Sequence, residues 1–270
     1  MTTDTKTIHE FLAENPNVDV SEAWERCFGI LEGFKNRIAQ RFAVQRHPSC
    51  DGREFYTSPD GAFEGSFNAY SGEGVEWLVH SWLGNRKASI LDMNATCFLG
   101  QDTDVPHLIV IFGTIPKLFF YADYVPRRDL RTDPDYLDKY YGGDVNEEFL
   151  ALRGDSDFHW SVSHGTYMRA LLSPVGMSIA GDLNSANIDT LEAYSKRFVD
   201  RWMGWLDTAQ PTSDSDRAEL QRYDHRVRAL GYQRDPMNKL AENVFGTGEV
   251  DRMIAMRMGA EQMRASRIEA

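Results

Sequence analysis

The 270-residue chain has 42% hydrophobic and 12% aromatic residues, enough to bury a sizeable core, which excludes a disordered protein. Its formal net charge of −12 argues against a nucleic-acid binder, because such proteins present a basic surface. The three cysteines (Cys27, Cys50 and Cys97) form no CxxC pair, which excludes a disulfide framework, a zinc site and an iron–sulfur cluster.

The N-terminal residues 1–19 are acidic and show neither the apolar core of a signal peptide nor the Arg/Ser bias of a transit peptide. The longest apolar run, from Leu108 to Phe112, is far shorter than the roughly 20 residues of a membrane span. These features predict a cytoplasmic protein without a membrane span.

An N-terminal helix is predicted over 18–44. Apolar residues recur there every three or four positions, as one buried stripe on a helix requires: Trp24, Cys27, Leu31, Phe34, Ile38 and Phe42. Asp19 and Glu22 have the spacing of an N-terminal capping pair.

Over 54–125 the hydrophobic residues recur at every second position, which predicts that this segment forms the strands of the central sheet. In the segment 63–69, apolar and small residues alternate with Glu64, Ser66 and Asn68. A second alternation, at 90–97, aligns Asp92 and Asn94 on one strand face. Short connections favour antiparallel neighbours, because a parallel crossover needs a dozen residues or more.

The segment 126–270 is predicted to be mostly helical with one or two strands. A short helix should follow Pro134, a strand should cover Tyr167 to Leu172, and longer helices should cover 188–206, 218–230 and 250–263. Helices before and after a sheet predict the α/β class, as a three-layer α/β/α sandwich with a central antiparallel sheet in a single domain over 1–270.

The common cofactor and hydrolase motifs are missing from the sequence. It contains no GxGxxG, GxxxxGK[ST], HExxH or GxSxG. His159 and His164 are five residues apart, which fits neither a helical pair nor a strand face, so no metal site is predicted. An enzyme with this sequence would work with acid–base side chains and take redox equivalents from outside.

Glu64 allows two interpretations. On a half-exposed sheet it would face solvent, as charges on alternating strands usually do. If helices cover both sheet faces, Glu64, Asp92 and Asn94 would point into one partly enclosed cavity, where desolvation raises a carboxyl pKa and makes the group a usable proton donor.

Other charged positions also have two interpretations. Arg169 could pair with a nearby acid or clamp a ligand carboxylate. Asp235, which precedes a proline, has the pattern of a helix cap. Arg127, Arg128 and Arg131 could be a solvated cluster or a basic docking patch.

Several sequence strings together resemble one known family. They are FEGSF at 63–67, PRRDL at 126–130, DPDYLDKYY at 133–141, YMRALLSP at 167–174, and an Asp-Pro pair at 235–236 followed by Phe-Gly at 245–246. Over roughly 55–260 the chain resembles red chlorophyll catabolite reductase, a member of the ferredoxin-dependent bilin reductases.

The resemblance implies a fold and a chemistry. It implies an α/β/α sandwich with an open-chain tetrapyrrole between the sheet and the C-terminal helices. It also implies no bound metal or flavin, with reduced ferredoxin supplying single electrons and carboxyl groups supplying protons. Ferredoxin would dock on the arginines at 127, 128 and 131.

The resemblance also implies site residues. Glu64 would match the strand carboxylate and Asp235 the acid of the C-terminal segment, both catalytic. Arg169 would match a propionate-binding arginine, and Asn94, Asp92 and Ser66 complete the expected substrate-binding set.

Two departures from the family pattern leave alternatives open. Ile111 stands where the reductases have a central acid, and Asn94 stands near where bilin reductases often have a histidine. A non-catalytic family member that carries a conjugated aromatic ligand, or one with a non-tetrapyrrole substrate, therefore remains an alternative to the reductase. A further tension is that acidic ferredoxins would be repelled by a chain of charge −12 unless its positive charge is concentrated on one side.

Overall fold

The computed structural model describes residues 18–85, 89–115, 117–163 and 165–268. Nine strands occur in these ranges: β1 (Gln45–Arg46), β2 (Tyr56–Thr57), β3 (Glu64–Gly72), β4 (Val75–Gly84), β5 (Leu91–Leu99), β6 (His107–Ile115), β7 (Lys117–Val125), β8 (Phe158–Trp160) and β9 (Met177–Gly181). The helices of the same ranges are α1 (Ser21–Phe42), α2 (Pro134–Tyr141), α3 (Asp144–Arg153), α4 (Thr166–Leu171), α5 (Ser185–Thr208), α6 (Asp214–Gln233), α7 (Met237–Phe245), α8 (Thr247–Arg257) and α9 (Ala260–Ile268).

The strands form one antiparallel sheet in the order β1-β3-β4-β5-β6-β7-β9-β8, and β2 also pairs with β3. Strands β3 to β7 lie side by side in sequence order, because the connections between them are too short for a crossover. The alternation in the sequence thus produces a meander.

Helices cover both faces of the sheet. On one face, called here the α1 face, the apolar stripe of α1 packs on the strands together with α5, and Leu31, Ile38 and Trp202 are fully buried. On the other, called here the α6–α8 face, Trp77 and Phe98 pack near Met256 of α8. Burying a side chain of this size contributes about 2 kcal/mol. The predicted three-layer α/β/α sandwich is confirmed.

Two predicted elements differ from the structure. The strand predicted over Tyr167 to Leu172 is wrong: these residues belong to α4 and its end, and the strand of this region is β9. A short apolar run has no periodicity that separates strand from helix. The helix predicted over 250–263 is divided by Gly259, whose φ of 61° ends α8.

Tertiary packing explains the break at Gly259. The indole of Trp77 lies so close that a Cβ at this glycine would come within 2.8 Å of the ring. Trp77 also donates a hydrogen bond from Nε1 to the Met256 carbonyl oxygen at 3.1 Å. The end of α8 is therefore fixed against the sheet by a strand residue. Throughout the described ranges, no helix has the length and apolar character that crossing a membrane requires.

Candidate active site

A row of side chains crosses the centre of the sheet on its α6–α8 face. Ser81, Asn94, Ile111, Tyr121 and Ser178 lie directly opposite one another on β4, β5, β6, β7 and β9. The flanking positions on the same face are Thr96, Ile109 and Asp123 on one side and Asp92, Gly113 and Phe119 on the other. Polar and apolar groups are therefore interleaved on one inner face.

Part of this face is open. Side chains of central strands are normally covered, yet Ile109, Ile111, Phe119 and Tyr121 are only partly buried. They form an apolar strip over β6 and β7, which is called here the open strip. Its borders are polar: Asn94 and Asp92 lie on the β5 side and Asp123 lies at its end. A flat conjugated ligand would find an apolar floor with hydrogen-bonding groups at its edges.

Asn94 is the polar group beside the centre of the open strip. It is 3% exposed, and its Nδ2 donates to Ser81 Oγ at 3.1 Å. Its Oδ1 has no hydrogen-bond partner among the described residues. An unpaired buried acceptor costs stability, so this oxygen is suited to an N–H donor from a bound molecule.

Two carboxyl groups meet one guanidinium at the edge of the same face. The Arg257 guanidinium of α8 lies 3.6 Å from the Asp92 carboxylate of β5. Arg257 also interacts electrostatically with Asp235, Tyr56 and Tyr232. The cluster joins the sheet to the segments before α7 and at the end of α8, so it forms only in the folded chain.

Asp235 is the acid of this cluster whose environment favours protonation. Burial raises its pKa, the Met237 N–H and Arg257 oppose the increase, and the nearby Asp92 charge adds to it. Its Oδ1 accepts the Met237 N–H at 2.9 Å, which closes a turn just before α7. The N-cap residue of α7 is Pro236, so the predicted capping role of Asp235 is wrong.

Asp123 is a second buried acid, and the sequence analysis missed it. It is 0% exposed and accepts hydrogen bonds from Ser173 N, Ser173 Oγ and the Tyr121 hydroxyl. Burial raises its pKa to about 6, because desolvation outweighs these donors. The signal was present: Tyr121 and Asp123 alternate with apolar residues in β7. Arg257 was missed too, and no sequence pattern links it to Asp92.

The structure separates Glu64 and Ser66 from the other predicted site residues. Gly84 lies opposite both Glu64 and Leu91, so Glu64 shares its sheet face with Leu91 and not with Asp92. By the same register, Ser66 lies on the α1 face. The expectation that Glu64 opens into one cavity with Asp92 and Asn94 is wrong, because an intervening strand sets which faces coincide.

Arg169 does not lie in a buried strand. It is an exposed residue of α4, and its Nη1 donates to the Ser163 carbonyl oxygen at 2.7 Å. The expected placement among strand residues is therefore wrong, and the guanidinium that lies beside Asp92 is that of Arg257.

The three arginines of the expected docking patch do not all lie at the surface. Arg127 is 1% exposed and binds Asp224 through Nε and Nη2 at 3.0 and 2.6 Å, so it cannot meet a partner. Arg128 and Arg131 reach the surface, where each pairs with a neighbouring aspartate. Position in the sequence did not reveal that the first arginine turns inward.

Other local features lie outside this arrangement. A hollow of about 420 Å³ beside β1 and β3 is lined by Arg46, His47 and Glu73 and by none of the predicted site residues. In the described part of the chain, no group of three or more His, Cys, Asp or Glu side chains is placed to hold a metal ion. His164, considered above with His159, lies outside the described residues.

Comparisons with known proteins agree with the fold and with the sequence resemblance. The family model described as red chlorophyll catabolite reductase matches residues 29–257. The chloroplastic red chlorophyll catabolite reductase of Arabidopsis thaliana is 23% identical over 244 residues, covering 83% of this chain and 76% of that protein. The Hordeum vulgare red chlorophyll catabolite reductase is 25% identical over 169 residues, covering 58% of this chain and 82% of that protein.

A solved structure shows the same fold. Tomato phytochromobilin synthase in complex with biliverdin superposes with a TM-score of 0.76 at 15% identity, covering 87% of this chain and 83% of that one. The resemblance to the red chlorophyll catabolite reductases and the bilin reductase fold is confirmed.

The comparisons correct the predicted location. The Arabidopsis relative and a rice relative, 23% identical over 170 residues, are both named as chloroplastic. The cytoplasmic prediction was wrong, because it rested on the composition of the N-terminal residues alone.

Proposed function

The chain belongs to the red chlorophyll catabolite reductase family, and we propose that it reduces an open-chain tetrapyrrole bound on the open strip of the α6–α8 face. The observation that carries the proposal is the position of Asp92, Arg257 and Asp235 beside the partly exposed apolar strip on the sheet. The tomato protein of the same fold binds a linear tetrapyrrole, biliverdin.

The proposed reaction needs electrons and protons from different sources. Saturating one double bond consumes two electrons and two protons. Reduced ferredoxin would supply the electrons singly, and Asp235 would supply a proton to the ligand radical, since its raised pKa leaves the carboxyl readier to carry one. After the transfer, the Met237 N–H and Arg257 would stabilise the new carboxylate.

Binding is proposed to use the groups around the strip. Arg257 would hold a ligand carboxylate, a role that the sequence resemblance gave to Arg169. Asn94 Oδ1 would accept a ligand N–H. Ile109 and Ile111 would form a floor that keeps water from the radical.

Ferredoxin would approach a chain of net charge −12, so its docking needs local positive charge. Of the three arginines first considered, Arg128 and Arg131 have accessible side chains. Because salt screens attraction between exposed charges, we expect docking at these arginines to weaken as salt rises.

The second candidate function is a carrier that binds a conjugated ligand without reducing it. Ile111 favours it, because the centre of the row holds no titratable side chain. Visible spectra with biliverdin or a chlorophyll catabolite, recorded with and without reduced ferredoxin, separate the two. A shift on binding without later bleaching supports the carrier.

The reductase proposal is tested with Asp235→Asn. We expect pigment affinity to change less than about threefold and turnover to fall by about a hundredfold, the lower end of the range for loss of a proton donor. Asp251→Asn, which alters an exposed acid of α8, should match the unmodified protein. Full turnover in Asp235→Asn would refute Asp235 as the donor.

Glu64→Gln in the same assay tests the assignment of sheet faces. If Glu64 faces α1, turnover stays within about twofold of the unmodified protein. A loss as large as that of Asp235→Asn would restore Glu64 as a proton donor, as the resemblance implied.

A further inference from the structure

Tyr121 and Asp123 are a phenol and a carboxylic acid two residues apart on β7, on the face that carries the open strip. Tyr121 lies directly opposite Ile111 and is partly exposed, whereas Asp123 lies opposite Ile109 and is fully buried. Neighbouring strands are about 4.8 Å apart, so a ligand resting on Ile111 would lie beside the Tyr121 ring. The pair therefore has one member at the open strip and one behind it.

Asp123 is held by neutral donors. Ser173 donates to both carboxyl oxygens, from Oγ at 2.5 Å and from N at 3.1 Å, and the Tyr121 hydroxyl lies 3.0 Å from Oδ2. The ionisable groups that interact with it are phenols: Tyr121 on β7, Tyr141 of α2 and Tyr194 of α5. These donors favour the ionised carboxylate, but burial outweighs them and raises the pKa of Asp123 to about 6.

An isolated structural role explains this arrangement poorly. An aspartate in the middle of a sheet costs stability when it ionises, and an asparagine would satisfy the same serine. What an acid adds is a transferable proton, and the Tyr121 hydroxyl is the hydrogen-bonded group that leads from it towards the open strip.

We propose that Tyr121 is a further catalytic residue, which protonates the bound ligand and is reprotonated by Asp123, and that Asp123 and Ser173 position and reload it. This inference rests on the proposed reductase function and supplies a proton source beside Ile111, whose side chain cannot provide one.

The proton steps balance. An electron from ferredoxin converts the ligand into a radical anion. The Tyr121 hydroxyl donates to the Asp123 carboxylate, and this hydrogen bond reverses when Asp123 carries the proton, which leaves the Tyr121 O–H free to point to the ligand. The Tyr121 O–H bond then breaks as a new bond to hydrogen forms on the ligand, and the Asp123 carboxyl proton passes to the Tyr121 oxygen. Tyr121 ends neutral, Asp123 ends as a carboxylate, and Asp123 takes a proton from water after product release. Burial raises the pKa of Asp123 to about 6, so the carboxyl can be reloaded near neutral pH.

The test compares Tyr121→Phe, Asp123→Asn and Tyr70→Phe in the full chain with biliverdin and reduced ferredoxin. Tyr70 is the matched control, because it is a half-buried tyrosine on the opposite face of β3. Circular dichroism and thermal melting verify folding, and a visible titration gives pigment affinity separately from turnover. If Tyr121→Phe does not fold, Asp123→Asn tests the relay in its place.

We expect Tyr121→Phe to bind pigment within about threefold of the unmodified protein and to turn over at least tenfold more slowly, and Tyr70→Phe to be unchanged. The unmodified rate should fall as pH rises above about 6, where Asp123 loses its proton, and Asp123→Asn should lack the limb centred near 6, so that any fall it retains is that of Asp235. Normal turnover in Tyr121→Phe, or the same limb in Asp123→Asn, would overturn the relay alone. An unmodified protein that neither binds nor reduces pigment would overturn the proposed function and the relay with it.

Discussion

Asp123→Asn should make the protein more stable at alkaline pH, and the gain follows from the environment of the carboxyl. Folding raises the pKa of Asp123 from 3.8 to about 6, because the group loses its solvent. A difference of about 2 in pKa corresponds to about 3 kcal/mol. With a raised pKa, this contribution to stability is fully present below pH 3.8 and is lost as pH rises through about 6. An asparagine cannot ionise, so the variant does not lose stability in this way as pH rises.

The expected curve can be measured by urea unfolding between pH 4 and pH 8. The hydrogen bonds of a neutral amide do not change with pH, so they cancel in this comparison, and Asp123→Asn should gain about 2 kcal/mol at pH 8 relative to its effect at pH 4. Asp182→Asn is the control, because this side chain is 80% exposed. If the unmodified and Asp123→Asn curves run parallel across this range, the carboxyl does not titrate as its burial requires, and the reasoning fails.

Two further predictions concern the folding of the helical layer over the α6–α8 face. Asp224→Asn removes the charge that pairs with buried Arg127, and it should lower the free energy of unfolding by about 3–5 kcal/mol in urea denaturation; a loss below 1 kcal/mol would mean that the pair is solvated. Gly259→Ala forces a side chain into the left-handed region and against Trp77, and it should cost at least about 1–2 kcal/mol. Gly204→Ala, near the C-terminal end of α5 with open space around it, should be neutral or stabilising. Equal effects of the two alanines would contradict the packing of Trp77 on this turn.

Activity and stability should oppose each other at Asp123. The same burial that destabilises the ionised carboxylate keeps a proton beside Tyr121, so an asparagine is expected to stabilise the fold and to slow turnover. For a residue that only packs in the core, such as Ile38 in the α1 layer, stability and activity are not opposed, because its truncation only removes buried surface.

The sequence by itself determined the layers and many of their boundaries. The period of three to four placed α1 within two or three residues of its observed ends, and the period of two with short connections predicted the antiparallel meander. These patterns are local: side-chain direction repeats every 3.6 residues in a helix and every two in a strand, so neighbours in the chain carry the information. The family strings added the chemistry that periodicity could not give, and they named Asp235 as a candidate, which the structure places near Arg257.

Tertiary structure decided which of the candidate residues lie together. Glu64 and Asp92 both lie on strands of period two, but the register through β4 places them on opposite faces, and neither strand encodes that register alone. Arg127 looks like a surface cation until Asp224 of α6 is folded over it. Arg257 joins the site because Trp77 holds the end of α8 against the sheet. Each of these outcomes depends on contacts between residues far apart in the chain, which are fixed only when the helical layer closes on the strands.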